Sequence, residues 1–235
     1  MPLLREHPWL GILLALMLVA ALAEGLVLHF VLRRPYCWRG AAASAGDALG
    51  RRLIGAALGG GLAAPLIAWA WAHRVATQAM DGAGQWLLLF ALHEFAYYVF
   101  HRASHRVRWF WASHAVHHSP NELSLAAALR LGWTARISGS ALFFAPLVWL
   151  GFDPMAVALV MALDLAWQFW LHAPWIPRLG PLEWVLNTPA HHRIHHACNP
   201  AYLDCNFGGV TVVFDRLFGS LRLERADEPP RFGLT

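Results

Sequence analysis

Ten of the fourteen histidines in this 235-residue chain fall between His101 and His196, and nine of those ten stand at metal-ligand spacings. His101 and His105 are four apart, His114, His117 and His118 form H-x-x-H-H, His172 stands alone, and His192, His195 and His196 repeat H-x-x-H-H. On a helix, residues three and four apart share a face, with Cβ atoms roughly 5–6 Å from one another, so each H-x-x-H-H aims three imidazoles at one point. Burying so many polar rings is costly unless each finds a partner, and a metal centre supplies partners to all of them. Nine imidazoles exceed the demand of one ion, whereas two six-coordinate ions sharing nine keep open positions. Imidazole suits Zn, Cu, Fe and Ni, so the spacing alone does not name the metal.

The remaining composition points to a membrane. The chain is 58% hydrophobic and 14% charged, with 13 Trp, 13 Phe and a mean hydropathy of +0.43. That is the profile of an integral membrane protein, and the length suits one domain. The net charge of +4 comes from Arg alone, clustered just outside apolar runs, which suits anionic lipid headgroups; no nucleic-acid motif is present. Three scattered cysteines (Cys37, Cys198 and Cys205) do not make a disulfide framework, and Cys198 reads as a small side chain rather than a ligand.

Four apolar stretches organise the chain. Trp9 to Leu32 is long enough to cross a ~30 Å hydrocarbon layer, and with only Arg5 before it reads as a retained anchor rather than a signal peptide. A basic loop with Arg33, Arg34, Arg39, Arg51 and Arg52 follows. Leu53 to Ala72 is the second expected span, with Gly55 and Gly59 as a small-residue packing face that Gly60 and Gly61 loosen. Gln85 to Phe100 begins a third, whose helix is expected to run on through His101 and His105. Ile137 to Leu150 and Met155 to Leu171 form a hairpin about the turn Gly151-Phe152-Asp153-Pro154, its first arm short for a full crossing. By the positive-inside rule the Arg-rich regions face the cytoplasm, and every clustered histidine then lies at that one face.

Several polar residues accompany the histidines. His93-Glu94 begins like the zinc-protease motif H-E-x-x-H, but the fifth residue is Tyr97, so that reading fails. His93 is expected in a helix–helix contact, and Glu94 as a carboxylate that orients an imidazole. Asp164, Gln168 and His172 lie four apart and make a polar seam on an apolar helix. His191 is either a tenth ligand or a hydrogen-bonding neighbour of one.

At these residues the chain resembles the fatty acid hydroxylase superfamily, also called the sterol desaturase family. The matching text runs from EFAYYVFHRASH through WFWASHAVHHSPNELSLAAALR and WQFWLH to LGPLEWVLNTPAHHRIHHACNPAYLDCNFGGVTVVFDRLFGS, about residues 94–220. It is most similar to the branch holding bacterial C5-sterol-desaturase-like and alkylglycerol-monooxygenase-like proteins. The resemblance implies a non-haem di-iron centre, with zinc an alternative occupant in purified or crystallised protein, that uses O2 to hydroxylate or desaturate a lipid. It carries over His101, His105, His114, His117, His118, His172, His192, His195 and His196 as ligands. Gln168 stands where some branches have another His, Glu94 where the family often has Asp, and Asn187, Tyr202, Asp204 and Asn206 match residues around the last histidine box.

The expected architecture is an all-α integral membrane protein with about four transmembrane helices and a cytosolic helical cap carrying the dimetal site. Residues 1–84 form the anchor region, 85–221 the histidine-box catalytic region and 222–235 a tail. The chain has no G-x-G-x-x-G fingerprint, iron–sulfur pattern or haem signature, so electrons are expected from a separate reductase, ferredoxin or cytochrome-type protein, or a small reductant. A bacterial inner membrane is expected from the Arg-only, Ala-rich composition. Two rival functions are a metal-dependent membrane hydrolase and a metal transporter or store; a transporter needs ligands along the bilayer midplane, whereas these gather on one side.

Overall fold

The structure, a computed structural model, describes residues 7–58, 61–134 and 137–234; Arg5, Gly59 and Gly60 lie outside them. The described residues form helices joined by turns and irregular segments, with three isolated β-bridges and no strand among them. Helix α1 (Trp9–Leu26) continues through a π-helical segment at Val27–Val31. Together these span 23 residues, about 35 Å at 1.5 Å per residue. Ile12, Leu16, Val19 and Leu22 stand exposed along it, while Glu24 and Gly25 are buried.

The Arg-rich stretch expected to be a loop is a helix instead, α2 (Trp38–Ala57). Charge alone gave the wrong reading there, because the segment is rich in Ala, the best helix former. The second expected span is not one helix. Helix α2 ends at Ala57 and the ten-residue α3 occupies Ala63–Ala72, with Gly61 between them in a left-handed conformation (φ 52°) that no helix accommodates. Of the small-residue face, Gly55 is buried as expected for packing, and Gly59 lies outside the described residues.

Helix α4 (Ala83–Arg106) runs unbroken through His101 and His105, as the spacing predicts. Extended Val107 separates it from α5 (Arg108–His118), which carries the first H-x-x-H-H. The hairpin is uneven. Its first arm is a 3₁₀ turn (Ser140–Phe143) followed by the short α6 (Ala145–Trp149), and its second is the full helix α7 (Pro154–Leu171). Asp153 caps α7 by accepting from the Met155 and Ala156 amides at 2.8 and 3.2 Å, with Pro154 at the first helical position. Gly151 at φ 101° is required at the turn, since a Cβ there would overlap the Ala76 carbonyl.

Two helices, Trp9–Val31 and Pro154–Leu171, are long and apolar enough to cross a membrane. The principal core joins α3, α4, α6 and α7 through Leu89, Tyr97, Phe144, Val148, Phe152 and Val160. Beyond α7 the chain is mostly irregular, with the short helices α8 (Pro189–His195) and α9 (Val213–Leu217).

Candidate metal centre

Four elements deliver the nine histidines. The end of α4 supplies His101 and His105, α5 supplies His114, His117 and His118, the C-cap of α7 is His172, and α8 with its C-cap supplies His192, His195 and His196. They gather into two groups: His101, His105, His114, His118 and His195, and His117, His172, His192 and His196. Within each group the candidate ligand atoms lie within 4.8 Å of one another. Neighbouring rings touch across the groups, as His118 does when it stacks on His196 at 4.4 Å.

Hydrogen bonds to backbone carbonyls fix the rings. Nδ1 of His101 donates to the Phe207 carbonyl at 2.9 Å, that of His195 to Cys205 at 2.8 Å, that of His117 to Arg130 at 2.9 Å, and that of His172 to Gln168 at 2.9 Å. A carbonyl only accepts, so these four rings carry their proton on Nδ1 and present a bare Nε2 to the site. Burial pushes every ligand-set ring down from the ordinary imidazole value, His117 to about 4 and His172 to about 3. The neutral imidazole, the form that binds metal, is therefore the resting state.

That tautomer assignment makes the site a test of its own occupant. Nε2 of His117 and Nε2 of His172 face each other at 3.4 Å, and with both protons on Nδ1 no hydrogen lies between them. Two lone pairs in contact repel unless a cation sits between them. Nε2 of His105 and Nε2 of His195 are buried with no hydrogen-bond partner. Imidazole–metal bonds of about 2.0–2.1 Å put neighbouring ligand nitrogens roughly 2.8–3.4 Å apart, from octahedral to tetrahedral geometry. The Nε2 pairs here, from His196–His192 at 3.0 Å to His117–His172 at 3.4 Å, fall within that range. The donor set fits a pair of transition-metal ions.

Residues 204–208 act as a strap behind the five-histidine group. Asp204 and Asn206 adopt φ of 58° and 55°, the left-handed region that Asp and Asn tolerate best among residues with a Cβ. This bend aims consecutive groups at the site: the Asp204 carboxylate lies 3.7 Å from His105 Nδ1, the Cys205 carbonyl holds His195 and the Phe207 carbonyl holds His101. Arg106 closes on Asp204 at 3.1 Å. Asn206 ties the strap to the His191 carbonyl and to both backbone groups of Arg222, while Asn187 Nδ2 donates to the Gly208 and Gly209 carbonyls. Fully buried Asp215, which the sequence reading missed, accepts from the Phe207 and Gly208 amides and the Ser220 hydroxyl. Tyr202 packs behind α8 and donates to the Glu228 carbonyl.

Other residues singled out from the sequence fall elsewhere. The carboxylate of Glu94 accepts from the Val210 and Thr211 amides and the Thr211 hydroxyl, so it pins that loop and hydrogen-bonds no imidazole. Gln168 uses its side chain on Tyr97 and Asp164 and offers only its carbonyl to the site, through His172. His93 contacts Asp164 at 3.3 Å across the α4–α7 interface, the helix–helix role expected of it. His191 is buried but belongs to neither group; the Leu186 backbone lies beside its ring without hydrogen-bond geometry. Cys198 likewise stands outside both groups.

A family model described as fatty acid hydroxylase matches residues 86–220, the stretch that holds every one of these histidines. The chain belongs to the fatty acid hydroxylase family. Among its relatives, alkylglycerol monooxygenase of Xenopus tropicalis is 39% identical over 163 residues, covering 69% of this chain and 36% of that protein. The Danio rerio protein of the same name is 41% identical over 155 residues, 66% of this chain and 34% of its own. An ornithine lipid hydroxylase of Rhizobium tropici is 33% identical over 139 residues, 59% of this chain and 40% of its own. The chain thus aligns with about a third of the length of the alkylglycerol monooxygenases. No solved structure matches.

Proposed function

We propose that this member of the fatty acid hydroxylase family is a membrane-bound non-haem di-iron oxygenase that uses O2 and external electrons to hydroxylate a lipid. Desaturation is the other outcome open to such a centre. The observation that carries the reading is the convergence of nine neutral imidazoles into adjacent groups of five and four, several with bare nitrogens facing one another. Bound iron would supply what side chains cannot, the reduction of O2 and the oxidation of an unactivated C–H bond. In balance, a lipid C–H, O2, two electrons and two protons give the C–OH and water.

The chain's own part is to hold and orient. His101, His105, His114, His118 and His195 would hold one ion, and His117, His172, His192 and His196 the other. The Phe207, Cys205, Arg130 and Gln168 carbonyls, with Asp204 on His105, keep the ring nitrogens turned inward. Asn187 and Asn206 keep the strap in place, and Glu94 the loop beyond it. His191 lies outside both groups, and Gln168 spends its side chain on Tyr97 and Asp164.

Residues 85–221 form the catalytic region and 1–84 an anchor that also packs on it, with 222–235 as a tail. Apolar helices Trp9–Val31 and Pro154–Leu171 cross the bilayer, α4 and the α3–α6 arm complete about four membrane-embedded segments, and the histidines sit in a helical cap at the cytoplasmic face. Arg-rich α2 supports that orientation, because its Asp47 and Gly40 bond the loop beside His117. The expected setting is a bacterial inner membrane, with electrons from a separate carrier. Relatives named for alkylglycerols and for an ornithine lipid point to hydroxylation of a membrane lipid, with ether lipids the first to try. The test is O2 uptake by iron-loaded protein in lipid discs with a chemical reductant and ether-lipid, ornithine-lipid and sterol panels. Uptake matched by a product one oxygen atom heavier is expected; ester cleavage without O2 uptake would sink the reading and favour the hydrolase.

A further inference from the structure

The family match begins at residue 86, yet a helix before it reaches the metal centre through a single peptide unit. The bond between Arg130 and Leu131 has its carbonyl on His117 Nδ1 at 2.9 Å and its N–H on Asp47 Oδ2 at 3.0 Å. The other oxygen of Asp47 accepts from Trp133 Nε1 at 2.7 Å. Arg130 is tied down further, its guanidinium donating to the Gly40 carbonyl at 3.1 Å and to Ser119 Oγ at 3.0 Å. The fit is close on both sides. A Cβ on Gly132 would overlap Ser113 of α5, and one on Gly50 of α2 would overlap the Trp133 ring.

We propose that Asp47 is a positioning residue for the four-histidine group, acting on His117 through the 130–131 peptide. This rests on the reading of His117 as a metal ligand. An anion on a peptide N–H polarises its carbonyl, and a polarised carbonyl is a stronger acceptor for an imidazole N–H. A carboxylate bonded directly to a ligating histidine raises the basicity of the ring and fixes its orientation. Here one peptide stands between carboxylate and ring and transmits the same influence. The all-imidazole set gives it weight, because neutral rings leave the charge of a bound cation to be balanced by carboxylates further out. Asp204 does this for the five-histidine group and Asp47 for the four.

The test is cobalt(II) binding to the full chain in detergent, read by chelator competition and by the ligand-field bands. Asp47→Asn keeps the shape, removes the charge and turns an NH2 on one of the two donors. Leu131→Pro removes the donated N–H and leaves the Asp47 charge in place; Arg130 is already extended at φ −81° and ψ 108°, as a residue before proline must be. Both are expected to weaken one of two bound ions about tenfold, the low end for outer partners of a metal site, and to shift that ion's bands while the other's stay put. The exposed-site control Asp227→Asn is expected to match the wild type, and Trp133→Phe, which removes one donor to Asp47 but keeps its charge on the 131 amide, to have a smaller effect than Asp47→Asn. Four results overturn the proposal: wild-type titration by Asp47→Asn, an equal effect of Trp133→Phe, an unaffected Leu131→Pro, or loss of both ions together. If the wild type binds no metal, the reading of the site falls as well. If it binds two and only the Asp47 effect is missing, the inference alone falls.

Discussion

The two histidine groups share helices α5 and α8 but are braced by different pieces of chain. In the five-histidine group, the ring nitrogens of His101, His195 and His105 are held by the 204–208 strap, which follows the last box directly in sequence. In the four-histidine group, His117 is held by Arg130 from the loop after α5 and His172 by a carbonyl one turn earlier in its own helix. The five-member group includes two rings that are only partly buried, His105 and His114, whereas all four members of the other are buried. On the proposed two-ion reading, each ion would be set largely by its own supporting piece of chain. A substitution in one support should disturb one ion first.

The largest effects are expected from the ligands themselves. His118→Ala and His195→Ala should each lower bound metal in the five-histidine group, and His192→Ala in the four-histidine group, with activity lost in all three. The expected loss exceeds the roughly 100-fold upper end seen for outer partners of metal ligands. Metal per chain by elemental analysis reads the first effect and O2 uptake the second. Full metal retention in His118→Ala and His195→Ala would remove the ligand assignment. Loss of both ions from every variant would instead show that the two groups act as one unit.

Next in size is the strap. Asp215→Ala leaves the Phe207 and Gly208 amides without their acceptor in a buried setting, while the Ser220 hydroxyl keeps Tyr98 Oη at 3.0 Å. At about 1–3 kcal/mol for each of the two orphaned amides, the fold should lose about 2–6 kcal/mol. The five-histidine ion should weaken roughly 10–100-fold, since the Phe207 carbonyl holding His101 shares a peptide plane with the Gly208 amide that Asp215 anchors. Thermal unfolding and chelator competition measure the two effects separately. Equal weakening of both ions would contradict the separate bracing.

Acid provides a graded version of the same comparison. His117 and His172 are held at about 4 and 3 by burial, below the ordinary 6.5 of an unfolded histidine. Between those values the unfolded chain binds more protons than the folded one, so stability rises with pH across the window and is lost as pH falls from 6.5 towards 4. Metal-free protein should therefore melt at progressively lower temperature over that range. Bound metal, which competes with the same protons, should leave the buried groups as pH falls. A flat melting temperature between pH 6.5 and 4 in the metal-free protein would show that the rings are not buried neutral.

Much of the site was legible in the sequence because helical spacing turns i, i+3 and i+4 directly into geometry. The nine histidines needed only helices at α4, α5, α7 and α8 to converge, and those helices form where the pattern says. The supports were not legible for a physical reason. Four of the groups that orient rings are backbone carbonyls, and a carbonyl leaves no mark in the choice of side chain. Asp204 and Asn206 did leave one, as residues suited to left-handed backbone on either side of Cys205. The membrane segments failed where glycines intervened: the apolar run Leu53–Ala72 has the composition of a span but breaks near Gly61. Arg-rich α2 failed the other way, its charges masking an alanine-rich helix whose Asp47 reaches the site.

The smallest effect is expected at His191, which separates membership of the site from mere adjacency to it. It stands beside His192 in sequence, yet lies outside both groups with no good hydrogen bond to either ring nitrogen. Its carbonyl, not its ring, serves the site by accepting from Asn206 Nδ2 at 3.0 Å. Replacing an unpartnered buried polar ring with an apolar side chain of similar reach removes a desolvation cost of about 1–3 kcal/mol. His191→Leu should therefore keep both ions and melt at or slightly above the wild-type temperature. A tenth ligand would behave oppositely, losing an ion as His192→Ala does. Elemental analysis of the two neighbouring variants, prepared side by side, decides between a box of three coordinating rings and one of four.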